Sequence, residues 1–224
     1  MSAFGNPEIP TNGLELNFDA FNTVSYPGSG TAWYNMVRGN VYQSQLIVGT
    51  GLIYEDGIST ITCSGSGDRT AAGTGVEPTL GDEYCYVSFC KLLPDNGLYR
   101  TLYRTIPDDH PILIQTSTNL LGVYDNTGGS TFNSSGYDMS PYEGTWFSIF
   151  ANASGGDTTD MYINGELVGS AAFNATGNAH YAIGGSSGNG QPWGWVSQTL
   201  LYNRQLTIGE VQRIHNAFRS RYGI

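Results

Sequence analysis

The C-terminal part of the chain carries the clearest hydrophobic pattern, and that pattern predicts a helix. Apolar residues recur there at steps of three and four, which places them on one helical face; they are Ile208, Val211, Ile214, Phe218 and Tyr222. Thr207 and Glu210 have the spacing of a capping box, in which each side chain satisfies a backbone N–H at the helix start. Gly223 is suited to ending the helix. We therefore expect a helix over 207–222 that packs its apolar stripe on a sheet.

Upstream of the helix, the period of the hydrophobic pattern changes to that of β-strands. Residues 14–20 alternate between apolar and polar side chains, which predicts a half-buried strand. Residues 84–92 are apolar on both faces, as in a central strand that is covered from both sides. Asn164-Gly165 and Asp56-Gly57 each separate two strand-like runs and predict tight hairpins, because these residues tolerate a positive φ.

The rest of the chain divides into short strands and polar connections. Further strands are predicted at 98–105, 112–116, 119–124, 145–151, 180–185 and 194–202, and long surface loops at 64–78 and 125–136. About a dozen short strands without interleaved helices are typical of an all-β sandwich. No shift of composition divides them. We interpret 14–224 as a single domain that includes the helix, preceded by an extended arm over 1–13.

Composition and charge narrow the classes of partner. The chain has 224 residues, a formal net charge of −10 and only 12% charged residues, which favours a globular domain over a disordered one. An acidic surface argues against nucleic acid and against anionic membranes as partners. No apolar run approaches transmembrane length, so we expect no membrane insertion.

The three cysteines predict free thiols rather than a disulfide framework. Cys85 and Cys90 lie five residues apart on one strand, so their side chains point to opposite faces and cannot bridge each other. Cys63 could pair with one of them, but three buried thiols are the favoured interpretation. This indicates folding in a reducing cytoplasm. The start of the chain has no basic region followed by an apolar core, so we expect no signal peptide.

Several motifs resemble one known fold family. Residues 161–170 (MYINGELVGS), 182–185 (AIGG) and 201–207 (LYNRQLT) follow one another as in a laminin-G or concanavalin A-like lectin/glucanase domain. The resemblance implies an all-β jelly-roll sandwich of two antiparallel sheets with one C-terminal helix. The opening, 14–20 (LELNFDA) and 25–34, and the ending, 202–224, resemble more narrowly a branch found in bacteriophage and other virion proteins. At position 35 this chain has Asn, where that branch often has Asp, so a role of an Asp carboxylate is not expected to carry over to this chain.

Enzymatic activity is not predicted. The glucanase branch needs two carboxylates about 5 Å apart across the scissile bond, and its E-x-D-x-(x)-E strand signature is absent from this sequence. The acidic pairs Glu55-Asp56, Asp82-Glu83 and 108–109 are adjacent residues, whose side chains point apart on a strand.

Metal binding is a weaker hypothesis than turn formation. Asp108, Asp109 and His110 could supply oxygen and nitrogen ligands, although a polar loop tip explains them as well. Lectin-like domains often hold Ca²⁺ at a loop rim, and the oxygen donors suited to it here are Asp125, Asn126, Asp157 and Asp160. The same residue types are common in turns. We expect no cofactor, with Ca²⁺ as the alternative.

Glycan binding would use exposed aromatic side chains as stacking platforms. The candidates are Trp193 in a glycine-rich run and Tyr124 and Tyr137 beside a polar loop. Packing in the core is the alternative for each. Trp195 opens the strand before the helix and is interpreted as a core residue.

Two functional hypotheses follow, with a glycoside hydrolase as a distant third. The first is a non-enzymatic virion structural protein, either a capsid decoration protein or a small tail or fibre component, made in the host cytoplasm. The second is a carbohydrate-binding module that recognises surface glycans. In either case the arm would contact another subunit, a copy of this chain or a capsid or tail protein, through Phe4, Pro7, Ile9 and Pro10. A homotrimer is the expected assembly.

Overall fold

The computed structural model describes residues 8–39, 43–46, 52–65, 70–72, 77–155, 157–185 and 190–224. Within these ranges two antiparallel sheets of eight strands each pack face to face. The first sheet has the strand order β14-β13-β12-β7-β16-β5-β4, with β1 also pairing with β16. The second has the order β11-β10-β9-β8-β15-β6-β3-β2. The predicted all-β jelly-roll sandwich with one C-terminal helix is confirmed.

The strands of each sheet come from both halves of the chain. The first sheet contains β1 (Leu14–Asp19), β4 (Leu52–Glu55), β5 (Ile58–Cys63), β7 (Tyr84–Leu92), β12 (Trp146–Ser154), β13 (Thr158–Ile163), β14 (Glu166–Ala171) and β16 (Gly194–Tyr202). The second contains β2 (Ala32–Tyr34), β3 (Gln43–Leu46), β6 (Thr70–Ala72), β8 (Arg100–Ile106), β9 (His110–Ile114), β10 (Leu120–Asp125), β11 (Thr131–Asp138) and β15 (Ala179–Ile183). A 3₁₀ turn (Ser140–Tyr142) precedes β12, and α1 (Ile208–Tyr222) ends the chain.

Strand β7 is central and contributes to two hydrophobic cores. All nine of its residues are buried. One core fills the space between the sheets and includes Tyr86 and Cys90, whereas Val87 and Phe89 belong to a second core between the first sheet and α1. Cys85 faces the second core and Cys90 the first, so the two thiols point to opposite faces as predicted. All three cysteines are free and buried, which confirms the prediction of thiols.

The helix starts and docks largely as its sequence predicts. The reciprocal capping box between Thr207 and Glu210 is formed, and Gly223 ends the helix in the left-handed conformation. The predicted stripe is buried except at Ile208, which is 51% exposed because it lies in the first turn, before the helix reaches the sheet. His215 takes part in the buried face instead, with Nδ1 2.9 Å from Ser148 Oγ on β12. No helix in the described ranges is both long and apolar enough to cross a membrane.

The described part of the arm packs on its own domain. Ile9 packs against the helix-side core, and the buried Pro10 accepts a hydrogen bond from Tyr202 Oη at 2.9 Å. Pro10 is thus covered by its own chain, whereas Ile9 is only partly buried, and contact of the arm with another subunit stays a prediction. Phe4 and Pro7 lie outside the described residues.

Asn35 holds the free edge of β1. Its Oδ1 accepts from the N–H of Asn17 at 2.8 Å, and its Nδ2 donates to the carbonyl oxygen of Glu15, also at 2.8 Å. An amide can do both, whereas an ionised carboxylate only accepts. The departure from Asp at this position therefore has a structural explanation.

Two predicted loops contain strands. The stretch 64–78 includes β6, which pairs with β3 and β15, and the stretch 125–136 includes the first part of β11, which pairs with β10. Neither strand has an alternating apolar pattern. Strand β11 lies at the edge of its sheet and is half to fully exposed, so backbone pairing, rather than burial of side chains, holds it in place.

Both predicted hairpins are present. Asn164 and Gly165 join β13 to β14 with φ values of 52° and 82°, and Asp56 and Gly57 join β4 to β5 with φ values of 55° and 78°. Positive φ at both central residues is what a type I′ turn requires.

Candidate functional site: a tyrosine patch on the second sheet

Four adjacent strands of the second sheet bring polar and aromatic side chains to its outer face. We define the tyrosine patch as Tyr99, Tyr124, Tyr181, Arg104 and Asp108. Tyr124 faces outward because its neighbour Val123 belongs to the core and successive strand residues alternate between faces. All three tyrosines are half-buried, so each presents part of its ring to solvent. The helix covers the other sheet, and this face has no described helix over it.

Tyr99, the residue before β8, and Tyr124 on β10 meet beside a buried histidine. The ring centroids of Tyr99 and Tyr124 lie 6.0 Å apart in an edge-on arrangement, and Tyr124 contacts the ring of His110 in the same way at 6.0 Å. Tyr124 Oη donates to the carbonyl oxygen of Ser130 at 3.1 Å. Ring contacts and a hydrogen bond thus hold Tyr124 in one orientation, which reduces the entropy that a ligand would have to remove.

His110 is the floor of the patch and is only 3% exposed. Its Nδ1 lies 3.0 Å from Thr101 Oγ1, and that hydroxyl donates to Gln191 Oε1 at 2.6 Å. With the Thr101 proton used in this way, His110 Nδ1 must be the donor to Thr101. Burial lowers the pKa of His110 to about 4; Asp108 opposes this shift and Arg104 adds to it. The imidazole is therefore neutral near pH 7.

Arg104 and Asp108 supply the charged groups of the patch. Arg104 Nε donates to Asp108 Oδ1, and the guanidinium lies over the ring of Tyr181, 5.4 Å from its centroid. The side chain of Asp108 is 48% exposed, so its carboxylate retains access to solvent. Asp108 Oδ1 is also 3.8 Å from His110 Nε2, so the ion pair lies next to the aromatic part of the patch, although the neutral imidazole forms no salt bridge there.

Asp109 is a structural residue rather than a ligand-binding one. It is 1% exposed, and its carboxylate accepts hydrogen bonds from the N–H groups of Asn126 and Thr127 at 2.8 and 3.1 Å. Asn178 Nδ2 also donates to it. The carboxylate thereby joins the β8–β9 turn to the β10–β11 turn. The proposed ligand group of Asp108, Asp109 and His110 is not formed, because the three side chains have separate partners.

The other predicted glycan residues do not join Tyr124. Trp193 is fully buried in the core between the sheets and contacts Phe147, so it cannot stack on a sugar. Tyr137 packs toward the same core, with Oη 3.4 Å from Tyr142 Oη. Tyr99 and Tyr181 were not predicted as site residues. The sequence offered only a high tyrosine content, and which tyrosines become neighbours is decided by the order of the strands in the sheet.

Trp195 is half-buried and packs against the helix-side core, so its predicted role as a core residue holds in part. Lys91 Nζ lies 5.2 Å from the centroid of its ring and binds Glu55 and Asp56 at 2.7 and 2.8 Å. The two carboxylates, expected to point apart, therefore converge on one ammonium group. Both acidic side chains are already paired there, and Trp146 Nε1 donates to Asp56 at 3.2 Å. This cluster attaches the β4–β5 hairpin to the sheet.

The predicted calcium ligands do not form one group. Asp125 and Asn126 lie at the β10–β11 turn of the second sheet, whereas Asp157 lies in the β12–β13 turn and Asp160 on β13 of the first. Asp125 accepts from Gly128 N, Asn126 Nδ2 donates to the carbonyl oxygen of Asp108, and Asp160 accepts from Ser170 Oγ. The described ranges hold no cluster of three acidic, histidine or cysteine residues suited to a metal.

Comparisons with known proteins identify the fold. No protein-family model and no curated protein matches the chain. A sialidase of Trypanosoma rangeli is 12% identical, with a TM-score of 0.65 over 95% of this chain and 34% of the sialidase. The same sialidase in complex with sialic acid is 13% identical, with a TM-score of 0.64 and coverages of 95% and 34%. The botulinum neurotoxin serotype D binding domain is 13% identical, with a TM-score of 0.68 over 91% of this chain and 51% of that domain.

These likenesses confirm a lectin-like β-sandwich and correct one prediction. The chain spans about a third of the sialidase and about half of the neurotoxin domain, and at this identity the likeness shows the fold alone. The prediction that the chain is not an enzyme is wrong as it was drawn, because solved structures that share the fold include an enzyme, the sialidase. The missing glucanase signature therefore gives no ground for excluding activity.

Proposed function

We propose that this protein is a carbohydrate-binding module and that the tyrosine patch is its binding surface. The observation that carries the proposal is the contact chain Tyr99–Tyr124–His110–Asp108–Arg104–Tyr181 on the outer face of the second sheet. Half-exposed rings offer apolar surface to the C–H face of a sugar, and a guanidinium beside a carboxylate offers donors and acceptors to its hydroxyl groups.

The similarity of the fold to two solved proteins is compatible with carbohydrate binding but does not identify it. The similar structures are a sialidase, seen in one case with sialic acid, and the binding domain of a neurotoxin. Fold alone does not give function. The proposal therefore depends on the residues of the patch, and it names no particular sugar.

A glycan array followed by calorimetry on the best-bound glycan tests the proposal. Tyr124→Ala removes a ring that touches both Tyr99 and His110, and we expect it to weaken binding about tenfold, which corresponds to about 1.4 kcal/mol. Tyr34→Ala is the matched control, since Tyr34 is 43% exposed on β2, away from the patch. Absence of any array signal, or equal loss in the two variants, would rule the patch out.

A position on a virion, as a decoration protein or a tail or fibre component, rests on the sequence resemblance alone. The sialidase and the toxin domain lend it no support. A homotrimer and contacts with capsid or tail proteins likewise stay predictions. Purification of a native particle that contains the chain would be the corresponding test.

A further inference from the structure

A cavity lies on the other side of the molecule, beside the helix. It encloses about 540 Å³ on the outer face of the first sheet, within the range of small-molecule sites. Its apolar walls come from four parts of the chain: Ile9 of the N-terminal segment, Leu14 of β1, Met36 and Val37 after β2, and Phe218 of α1. A site assembled from separated segments is shaped by the tertiary fold and is present before any ligand arrives.

Three side-chain amides also line the cavity, those of Asn17, Asn22 and Gln198, and two of them carry an oxygen without a partner in the described ranges. Gln198 on β16 and Asn17 on β1 both line the cavity, and Gln198 is only 1% exposed. Among the described residues neither Gln198 Oε1 nor Asn17 Oδ1 has a hydrogen-bond partner. Buried amides are rarely left unpaired, because the lost hydration is not replaced. Gln198 in particular lines the cavity and carries an amide oxygen that is unpaired within the described part of the chain.

The charges around the cavity cancel. Asp19 lines it but is held by Arg221, whose Nη1 lies 2.9 Å from Asp19 Oδ2. Glu8 and Arg38 contribute one charge of each sign. A charged ligand would lose hydration on entering the apolar part and gain no net attraction in return. The lining is therefore suited to an uncharged molecule.

We propose that this cavity binds a small neutral molecule with a hydrocarbon body and a carboxamide head. The hydrocarbon body would contact Leu14, Met36 and Phe218, and the head would pair with Gln198. A carboxamide is uncharged and carries an N–H donor for Gln198 Oε1, the atom of this amide that lacks a described partner. This site is separate from the tyrosine patch and does not depend on the carbohydrate proposal.

The test is a titration of the ¹⁵N-labelled full chain with hexanamide, followed by NMR. We expect saturable shifts of the Gln198 and Asn17 side-chain amides and of the backbone at Met36 and Val37, while the patch resonances stay unchanged. A dissociation constant on the order of 1 mM fits a ligand of eight non-hydrogen atoms. N,N-dimethylhexanamide lacks the N–H donor and should bind about three- to tenfold more weakly. Hexanoate and hexylammonium should not saturate over the same range.

Substitutions then test whether the Gln198 side-chain amide contributes to hexanamide binding. Gln198→Leu keeps the volume and removes the unpaired group, so the free protein should melt no lower than the wild type and hexanamide should bind about three- to tenfold more weakly. Gln205→Leu makes the same change outside the cavity and should bind like the wild type. If Gln198→Leu does not fold, Asn17→Leu provides the same comparison from the β1 wall. The proposal fails if hexanamide causes no saturable shift at the cavity, or if the variant of the amide binds as well as the control.

Discussion

The outer faces of the two sheets differ in what covers them. On the first sheet, Val87, Phe89 and Leu200 point outward and are fully buried, because Val211, Ile214 and Phe218 of the helix pack over them. On the second sheet, the tyrosine patch presents tyrosines and an ion pair beside a buried histidine, and these side chains contact one another. An apolar face must be covered to be stable in water, whereas a face whose polar groups satisfy one another can stay open. The open face therefore leaves the rings of the tyrosine patch accessible to a ligand.

The largest expected effect is the loss of stability when a contact between the helix and the first sheet is removed. Phe218→Ala removes a ring that packs edge-on against Phe89 at 5.3 Å, and Phe218 is 5% exposed. We expect the free energy of unfolding to fall by about 3–5 kcal/mol through lost transfer energy and a cavity. Phe21→Ala is the control: Phe21 also stacks on Arg221 but is 45% exposed, so its loss should cost far less. Urea denaturation of both variants measures the difference. Equal costs would mean that the helix is not docked.

Acid should destabilise the protein because His110, which is buried beneath the tyrosine patch, becomes protonated on unfolding. The pKa of His110 is about 4 in the folded protein against an ordinary 6.5, because burial disfavours the charged form. The unfolded chain therefore binds more protons between these values, so stability falls as the pH drops below about 6.5 and the loss is complete near pH 4. The loss amounts to about 3 kcal/mol.

Urea denaturation at pH 7 and pH 4.5 checks this, with a variant on each face. His110→Gln should lose less stability between the two pH values than the wild type does. Phe218→Ala, although destabilised throughout, should retain the wild-type difference. The idea would be contradicted by a His110→Gln variant that is as sensitive to acid as the wild type.

Two glycine variants test whether the helix is held against the β13–β14 turn. Gly165 and Gly177 both have positive φ, 82° and 78°, but a Cβ at Gly165 would lie 3.3 Å from His215 Cβ, whereas one at Gly177 would meet nothing within 4 Å. Each Gly→Ala change carries the backbone strain, about 1–3 kcal/mol. Only Gly165→Ala also pushes the helix away from the β13–β14 turn. We expect it to melt lower than Gly177→Ala, and identical melting temperatures would show that the helix is not held at this turn.

The smallest expected effect concerns the start of the helix. Thr207→Ala removes the side chain that accepts from Glu210 N, which should cost about 1 kcal/mol. Thr207→Ser keeps the acceptor and should stay close to the wild type. Thermal melts of the two variants measure the difference. A Thr207→Ala protein as stable as the Thr207→Ser protein would mean that docking alone, rather than the cap, defines the helix.

Elements that depend on neighbours in sequence could be predicted. The capping box and the three- and four-residue spacing indicated the helix, the run 84–92 indicated the doubly covered strand β7, and Asn164-Gly165 indicated a hairpin. Each of these signals lies within one element. The strands β6 and β11 could not be predicted in this way, because they are held by backbone pairing with strands that are distant in sequence or have little apolar pattern of their own.

The candidate sites depend more on how the strands and the helix are arranged in space than on the hydrophobic pattern of the sequence. The sequence by itself determined the all-β class, the helix with its stripe, the buried thiols and Tyr124 as an aromatic side chain beside a turn. Only the tertiary structure placed Trp193 inside and left Trp195 half-buried, brought Tyr124 against Tyr99, and left Gln198 Oε1 without a described partner beside a cavity. Periodicity tells which residues share a face, but the cover over that face comes from strand order and helix docking, which are contacts between residues far apart in the chain.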